Sequence, residues 1–261
     1  MQFLIRYILI SLFTVQASWA TATGVQEFDD KVHREITELF QQIKITMSSQ
    51  NYAKEKFAQY LKEHVIFSRD NAPLIGRAAE RAIQVPEIYN ELMRNFKEES
   101  GVGQPMSHYE MYKRGVLELE ITVDSDVYSY AMEKLTQAFD KILEFGSLSA
   151  IVGAFYVSEV VAIPELEVMQ DVVYSYAQNT NKTVSPSGLL QLYYDIHLNG
   201  AEQSHQDELG KFVKEYEAYG LNLQEIKEGG EIALKAMKDW WLDIQSCEEN
   251  LTKIHDPAIY P

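Results

Sequence analysis

Cysteine is almost missing from this chain: Cys247 is the only one in 261 residues. An intrachain disulfide is therefore excluded, and the fold has to stand on its apolar core alone. That lone cysteine, near the end of the last helical stretch, reads as a small packing residue rather than a nucleophile. Positive charge is also scarce, with 23 Lys and Arg against 39 Asp and Glu and a net charge of −16. So acidic a chain has nothing to neutralise nucleic-acid phosphates or to hold an anionic membrane surface, although divalent cations would suit it. Two-residue β-alternation is missing too, as are internal repeats and any linker long enough to divide domains.

What is present is helical periodicity. Apolar residues recur at three- and four-residue spacing in FDDKVHREITELFQQI, VYSYAMEKLTQAFDKILEFG and LGKFVKEYEAYGLNL. Breaks are expected at 71–73, 100–105, 146–149, 179–186 and 229–230, which implies about seven to eight helices. With 46% hydrophobic residues the length suffices for one sizeable core, so the expectation is a single all-α domain. Two helix starts carry detail. Ser107 followed by Glu110 spells a capping box that places His108 in a first helical turn, and Ser185 or Ser187 would cap a later helix. A first-turn imidazole is kept neutral by the helix dipole, and neutral imidazole is the form that binds metal.

The first twenty residues, MQFLIRYILISLFTVQASWA, place Arg6 before an apolar run and end on a small-x-small pattern at Ser18-Trp19-Ala20. This is the layout of a secretory signal peptide, too short to span a bilayer comfortably. The expectation is export to a periplasm or the outside, with a domain over 21–261, a net charge of −17 after cleavage and no stable membrane association.

Charged and imidazole side chains also appear where buried faces are expected. Glu98 and Glu99 end one helix and His108 opens the next. Glu159 sits in IVGAFYVSEVVAIPE, a stretch so apolar that a carboxylate there must be protonated, paired or bound to a cation. Gly153 and Ala154 before it leave room for a neighbouring helix or a ligand. Glu202 and His205 form a Glu-x-x-His pair, the arrangement by which helix bundles offer carboxylate and imidazole to a di-iron centre. His197 lies eight residues before His205, about 80° off its face on a regular helix. An extra residue at Asn199-Gly200, absorbed as a π-bulge, would bring the two together.

In this order, EES…SHYEMY, GAFYVSE and YYDIH…H, the chain resembles the heme-oxygenase-like di-iron oxidases and oxygenases, also called iron-containing redox enzymes, over roughly residues 57–210. The resemblance implies a heme-oxygenase-like bundle. It implies Glu98 or Glu99, His108, Glu159, His197, Glu202 and His205 as metal ligands, two Fe(2+) per chain, and O2 as co-substrate with an unidentified small molecule. The substrate would lie near Phe155, Tyr156, Tyr193 and Tyr194. In one respect the pattern departs from the family: Glu202 stands fifth after His197, where the family places Asp fourth, and that place is Ala201 here. Thiaminases of the same superfamily are a poor match, since their mid-chain nucleophilic cysteine has no counterpart. Two other readings stay open, a heme protein using His33 or His64 as axial ligand and a non-catalytic exported binding protein, as does a homodimer.

Overall fold

A computed structural model describes the backbone of residues 2–48, 54–124 and 128–246, with side chains from Thr23 onward. Every regular element among them is helical. In chain order these are α1 (Gln2–Ser48), α2 (Lys54–Arg81), α3 (Pro86–Glu99), α4 (His108–Glu118), α5 (Tyr130–Phe145), α6 (Leu148–Asn179), α7 (Leu189–Ile196), α8 (Glu202–Lys214) and α9 (Leu223–Ser246). A π-turn over His197–Ala201 joins α7 to α8, and a short 3-10 turn over Tyr216–Tyr219 follows α8. The expected all-α bundle is what forms. Side chains of the segment read as a signal peptide lie outside the described residues, as does Cys247.

Helix α6 is the axis of the bundle. Its apolar composition would let it cross a membrane by length, but most of that apolar stretch is buried inside the protein. Ser147 caps its first turn by accepting a hydrogen bond from the Ala150 amide at 3.2 Å. Helices α1, α2, α8 and α9 pack around it, α9 most extensively, and the buried apolar side chains form one connected core. Trp240 and Trp241 of α9 sit fully inside, with Trp241 edge-on to Phe40 of α1 at 5.2 Å.

Glycine sets how closely α6 and α9 approach. A Cβ added at Gly153 would fall 1.9 Å from the Ile226 carbonyl oxygen, and one at Gly229 would fall 2.0 Å from the Ala150 carbonyl oxygen. Each glycine thus receives the other helix's backbone. The space beside Gly153 is therefore filled by α9, not by a ligand.

The sequence breaks fared unevenly. Helix α2 runs on through Pro73, and α9 through Gly229-Gly230, so neither place ends a helix. Proline in a helix removes one backbone bond, a loss that burial of twelve α2 residues outweighs. Two real breaks, at 82–85 before Pro86 and from 119 to 124 after α4, carry no run of glycine or proline strong enough to announce them. Ser107 caps α4 as expected, accepting from the Glu110 amide at 3.1 Å, but the Glu110 carboxylate turns to Arg114 at 2.6 Å and leaves the box half made. At α7 the cap is Gly188, whose amide bonds back to the Ser185 carbonyl at 2.9 Å, and neither serine side chain caps the helix.

Gly229→Ala should separate α6 from α9 and cost about 1–3 kcal/mol of stability, as overpacking of a close interface does. Guanidinium unfolding should show a lower midpoint at unchanged slope.

Candidate metal centre

The α3–α4 loop brings the first two polar side chains together. Gly101 has φ +70°, and a Cβ there would lie 2.4 Å from the Met106 carbonyl oxygen, so the loop closes only on glycine. The closure sets His108 Nδ1 3.2 Å from Glu99 Oε1, both side chains 9% exposed.

His197 arrives from the other side of the bundle by way of the π-turn. Asn199 (φ −89°, ψ 26°) and Gly200 (φ 108°, ψ 0°) leave helical geometry, and Gly200 takes a backbone angle that side-chain-bearing residues avoid. The extra residue turns His197 inward. It packs edge-on to His108, ring centres 4.5 Å apart, and against Tyr193 at 4.4 Å. Its Nδ1 pairs closely with Glu202 Oε1 and lies 4.0 Å from Glu99 Oε1. Its Nε2 is buried with no partner. Glu99, His108 and His197 each present a ligand atom, and these atoms all lie within 4.8 Å of one another.

Glu159, from mid-α6, completes this side. It is 5% exposed and accepts a hydrogen bond from Asn95 Nδ2 at 2.7 Å. Burial pushes its carboxyl well above the usual carboxylate range, and the nearby Glu202 and Glu99 push it further, so the site favours its neutral form. Glu99 goes the other way. Burial alone would raise it, but the His108 hydrogen bond and the charges of His197 and His108 hold it down to about 2. His197 is itself held above its ordinary value: burial opposes its charge, and Glu202 and Glu99 more than offset that.

His205 is buried in a second, adjoining set. Its Nδ1 lies 2.8 Å from Glu91 Oε1 and its Nε2 3.1 Å from Glu98 Oε2, with Arg94 clamping Glu91 through two bonds of 2.9 and 2.7 Å. Glu98 and Glu99, alternatives in the sequence, thus face different histidines. Glu91 and Asn95 escaped the sequence reading. They sit at helical spacing before Glu98 and Glu99, a signal visible only once the inward face of α3 is known.

Glu99, Glu159, His197 and Glu202 border a cavity of about 40 Å³ together with Asn95, His64, Ser68, Glu165 and Tyr193. Of the four aromatics expected near a substrate, Tyr193 alone lines this cavity. Phe155 packs on Phe139, Tyr156 donates to Asp29, and Tyr194 sits against Tyr112. The heme reading loses its footing. Ligand pockets run to about 300–1,000 Å³, far more than this cavity offers beside His64. His33 is 47% exposed and pairs with Asp29, and the larger open groove beside Phe145 is lined by no histidine.

Comparison with known proteins agrees with this architecture. The model of a family described as a domain of unknown function with a solved structure (DUF3865) matches residues 31–247. Two crystal structures of a CADD-like protein of unknown function from Nostoc punctiforme PCC 73102 share the fold. The one at 2.00 Å resolution has a TM-score of 0.70 and 21% identity, covering 84% of this chain and 96% of that one. The one at 1.35 Å has a TM-score of 0.68 and 20% identity, covering 84% and 94%. No curated protein matches the chain.

Gly200→Ala isolates the π-turn, because nothing lies within 4 Å of the added Cβ. The strain of its φ should still cost about 1–2 kcal/mol, visible in urea unfolding. Loss of helix at His197–Ala201 should appear as faster amide exchange confined to that turn.

Proposed function

The chain belongs to the DUF3865 family, and we propose that it is an iron-dependent oxidase or oxygenase that activates O2 at a non-heme di-iron centre. The observation that carries this reading is the convergence of Glu99, His108 and His197 within 4.8 Å, with His197 Nε2 left facing no protein partner. A buried imidazole nitrogen without a partner costs roughly 1–3 kcal/mol, a loss that a bound cation removes. The donor set fits: carboxylate and imidazole suit iron, and none of the buried residues described is Lys or Arg to balance the carboxylates instead. Glu99, His108 and His197 would hold one ion. Glu159, Glu202 and His205 would serve the second, with Glu98 beside His205.

Ferrous iron would supply the electrons for O2 reduction, and the protein would supply the rest. Asn95 orients Glu159 through its 2.7 Å hydrogen bond. Glu91, held by Arg94, accepts from His205 Nδ1 and so orients the ring, which presents Nε2 on the side of Glu98. Tyr193 and the apolar neighbours Ala162, Leu166 and Met237 keep the cavity dry on its other walls. Its small volume admits O2 and a compact small-molecule substrate only if side chains shift. Export through the first twenty residues belongs to the same proposal, and mature protein from its host should begin near Thr21 on N-terminal sequencing, Met1 being lost.

Iron-loaded protein under an oxygen electrode should consume O2 at once, and Glu99→Ala or His197→Ala should abolish the uptake; equal uptake by these variants would refute the proposal. The proton on Glu159 gives a second test. Its raised folded pKa means the folded apo-protein holds this proton where an unfolded chain has lost it. Stability from this group is therefore full below about pH 4.5 and falls as pH rises toward the folded value. Glu159→Gln, which removes the ionisable group, should flatten this pH dependence and raise the urea midpoint of the apo-protein at pH 7 above that of the wild type. The same change should weaken metal binding. Calorimetry in buffers of different ionisation heat should show proton release on metal uptake by the wild type, and less by the variant.

A further inference from the structure

The lining of the same cavity includes a second carboxylate–imidazole pair that the cluster above does not use. His64 of α2 and Glu165 of α6 have side chains 3% and 2% exposed, with His64 Nδ1 3.3 Å from Glu165 Oε1. Neither atom makes a hydrogen bond, although they lie only 3.3 Å apart. His64 Nε2 is already engaged with the Tyr193 hydroxyl at 3.3 Å, and the ring is pinned edge-on to Tyr112 at 4.7 Å. In the tautomer that donates from Nε2 to Tyr193, Nδ1 carries a lone pair beside a carboxylate oxygen. Two acceptors so placed repel unless something positive lies between them. One turn along α2, the Ser68 hydroxyl is also buried on the cavity wall without a partner, lacking even the bond to the carbonyl four residues back that helical serines usually make.

The spacing says what belongs there. Two ligands about 2.0–2.1 Å from a metal at the tetrahedral angle lie about 3.3–3.4 Å apart. A water or ammonium bonded at about 2.8–2.9 Å to the same two atoms would need an angle near 70°. The observed 3.3 Å matches the metal. We propose that His64 Nδ1 and Glu165 Oε1, with Ser68 Oγ as a third donor, form a separate binding position for a divalent transition-metal ion, distinct from the Glu99–His108–His197 cluster. Imidazole with carboxylate suits zinc, iron or cobalt over magnesium or calcium. The position stands on its own geometry and does not depend on the oxidase reading.

Cobalt(II) is the probe, titrated anaerobically into the whole chain and followed by visible absorbance and by equilibrium dialysis. In a His108→Ala/His197→Ala/His205→Ala background, which removes the histidines of both proposed iron positions, one equivalent should still bind, with the intense absorbance of a four-coordinate ion. Adding Glu165→Gln, which keeps the side chain's size, should remove that equivalent. Retention of it in the folded Glu165→Gln protein would overturn the proposal, as would its absence from the background variant. Should these variants fail to fold, crystals of the wild-type protein soaked in cobalt(II) decide: diffraction at the cobalt absorption edge must show an anomalous peak between His64 Nδ1 and Glu165 Oε1, and a fully soaked crystal without that peak overturns the site.

Discussion

Six glutamates and four histidines are buried among the described residues, with no buried lysine or arginine to balance them. That uncompensated interior is the constraint on which the rest of the structure turns. An isolated carboxylate taken out of water costs several kcal/mol even after relaxation, so each must be protonated, hydrogen-bonded or matched by a cation. The protein uses all three remedies. Glu159 is pushed toward its neutral form, Glu63 is served by Ser129 at 2.7 Å and Gln59 at 3.0 Å, and Glu91 takes the half-exposed Arg94. The others have only histidines beside them and gather around one cavity: Glu99 and Glu202 with His108 and His197, and Glu165 with His64.

The fold supplies the rigidity that such a cluster demands. Glycines at 153 and 229 let α6 and α9 lie backbone to backbone, which fixes the helix carrying Glu159 and Glu165. The tight turn at Gly101 fixes His108 against Glu99, and the π-turn fixes His197. In each case a glycine takes a shape or a spacing that a side chain would strain, and a polar side chain is aimed as the result. Stability is spent at these points on positioning.

Much of this was legible in the sequence, for reasons that can be named. Glu159 stood out because a carboxylate in so apolar a helix has to be explained, and it is buried. The eight-residue step from His197 to His205 cannot be reconciled with a regular helix, and the π-turn is where the Asn199-Gly200 step placed it. Local signals failed where tertiary packing overrode them. Pro73 and Gly229-Gly230 look like helix ends, yet each lies within a helix held by its buried face. His205 turns to Glu91 on α3, and His64 meets Glu165 across about a hundred residues, pairings that only the packing of α2, α3, α6 and α8 brings about. No periodicity within a single helix can disclose which of its carboxylates will meet a histidine on another.

The central claim is that the Glu99–His108–His197 cluster and its neighbours hold iron. Crystals grown from iron-supplied protein without chelators, with diffraction recorded just above and just below the iron absorption edge, test it most directly. The account predicts anomalous peaks that vanish below the edge, one among Glu99, His108 and His197 and a second beside Glu159, Glu202 and His205. Ordered water alone at both places, in crystals of protein shown to be folded and supplied with iron, would contradict it.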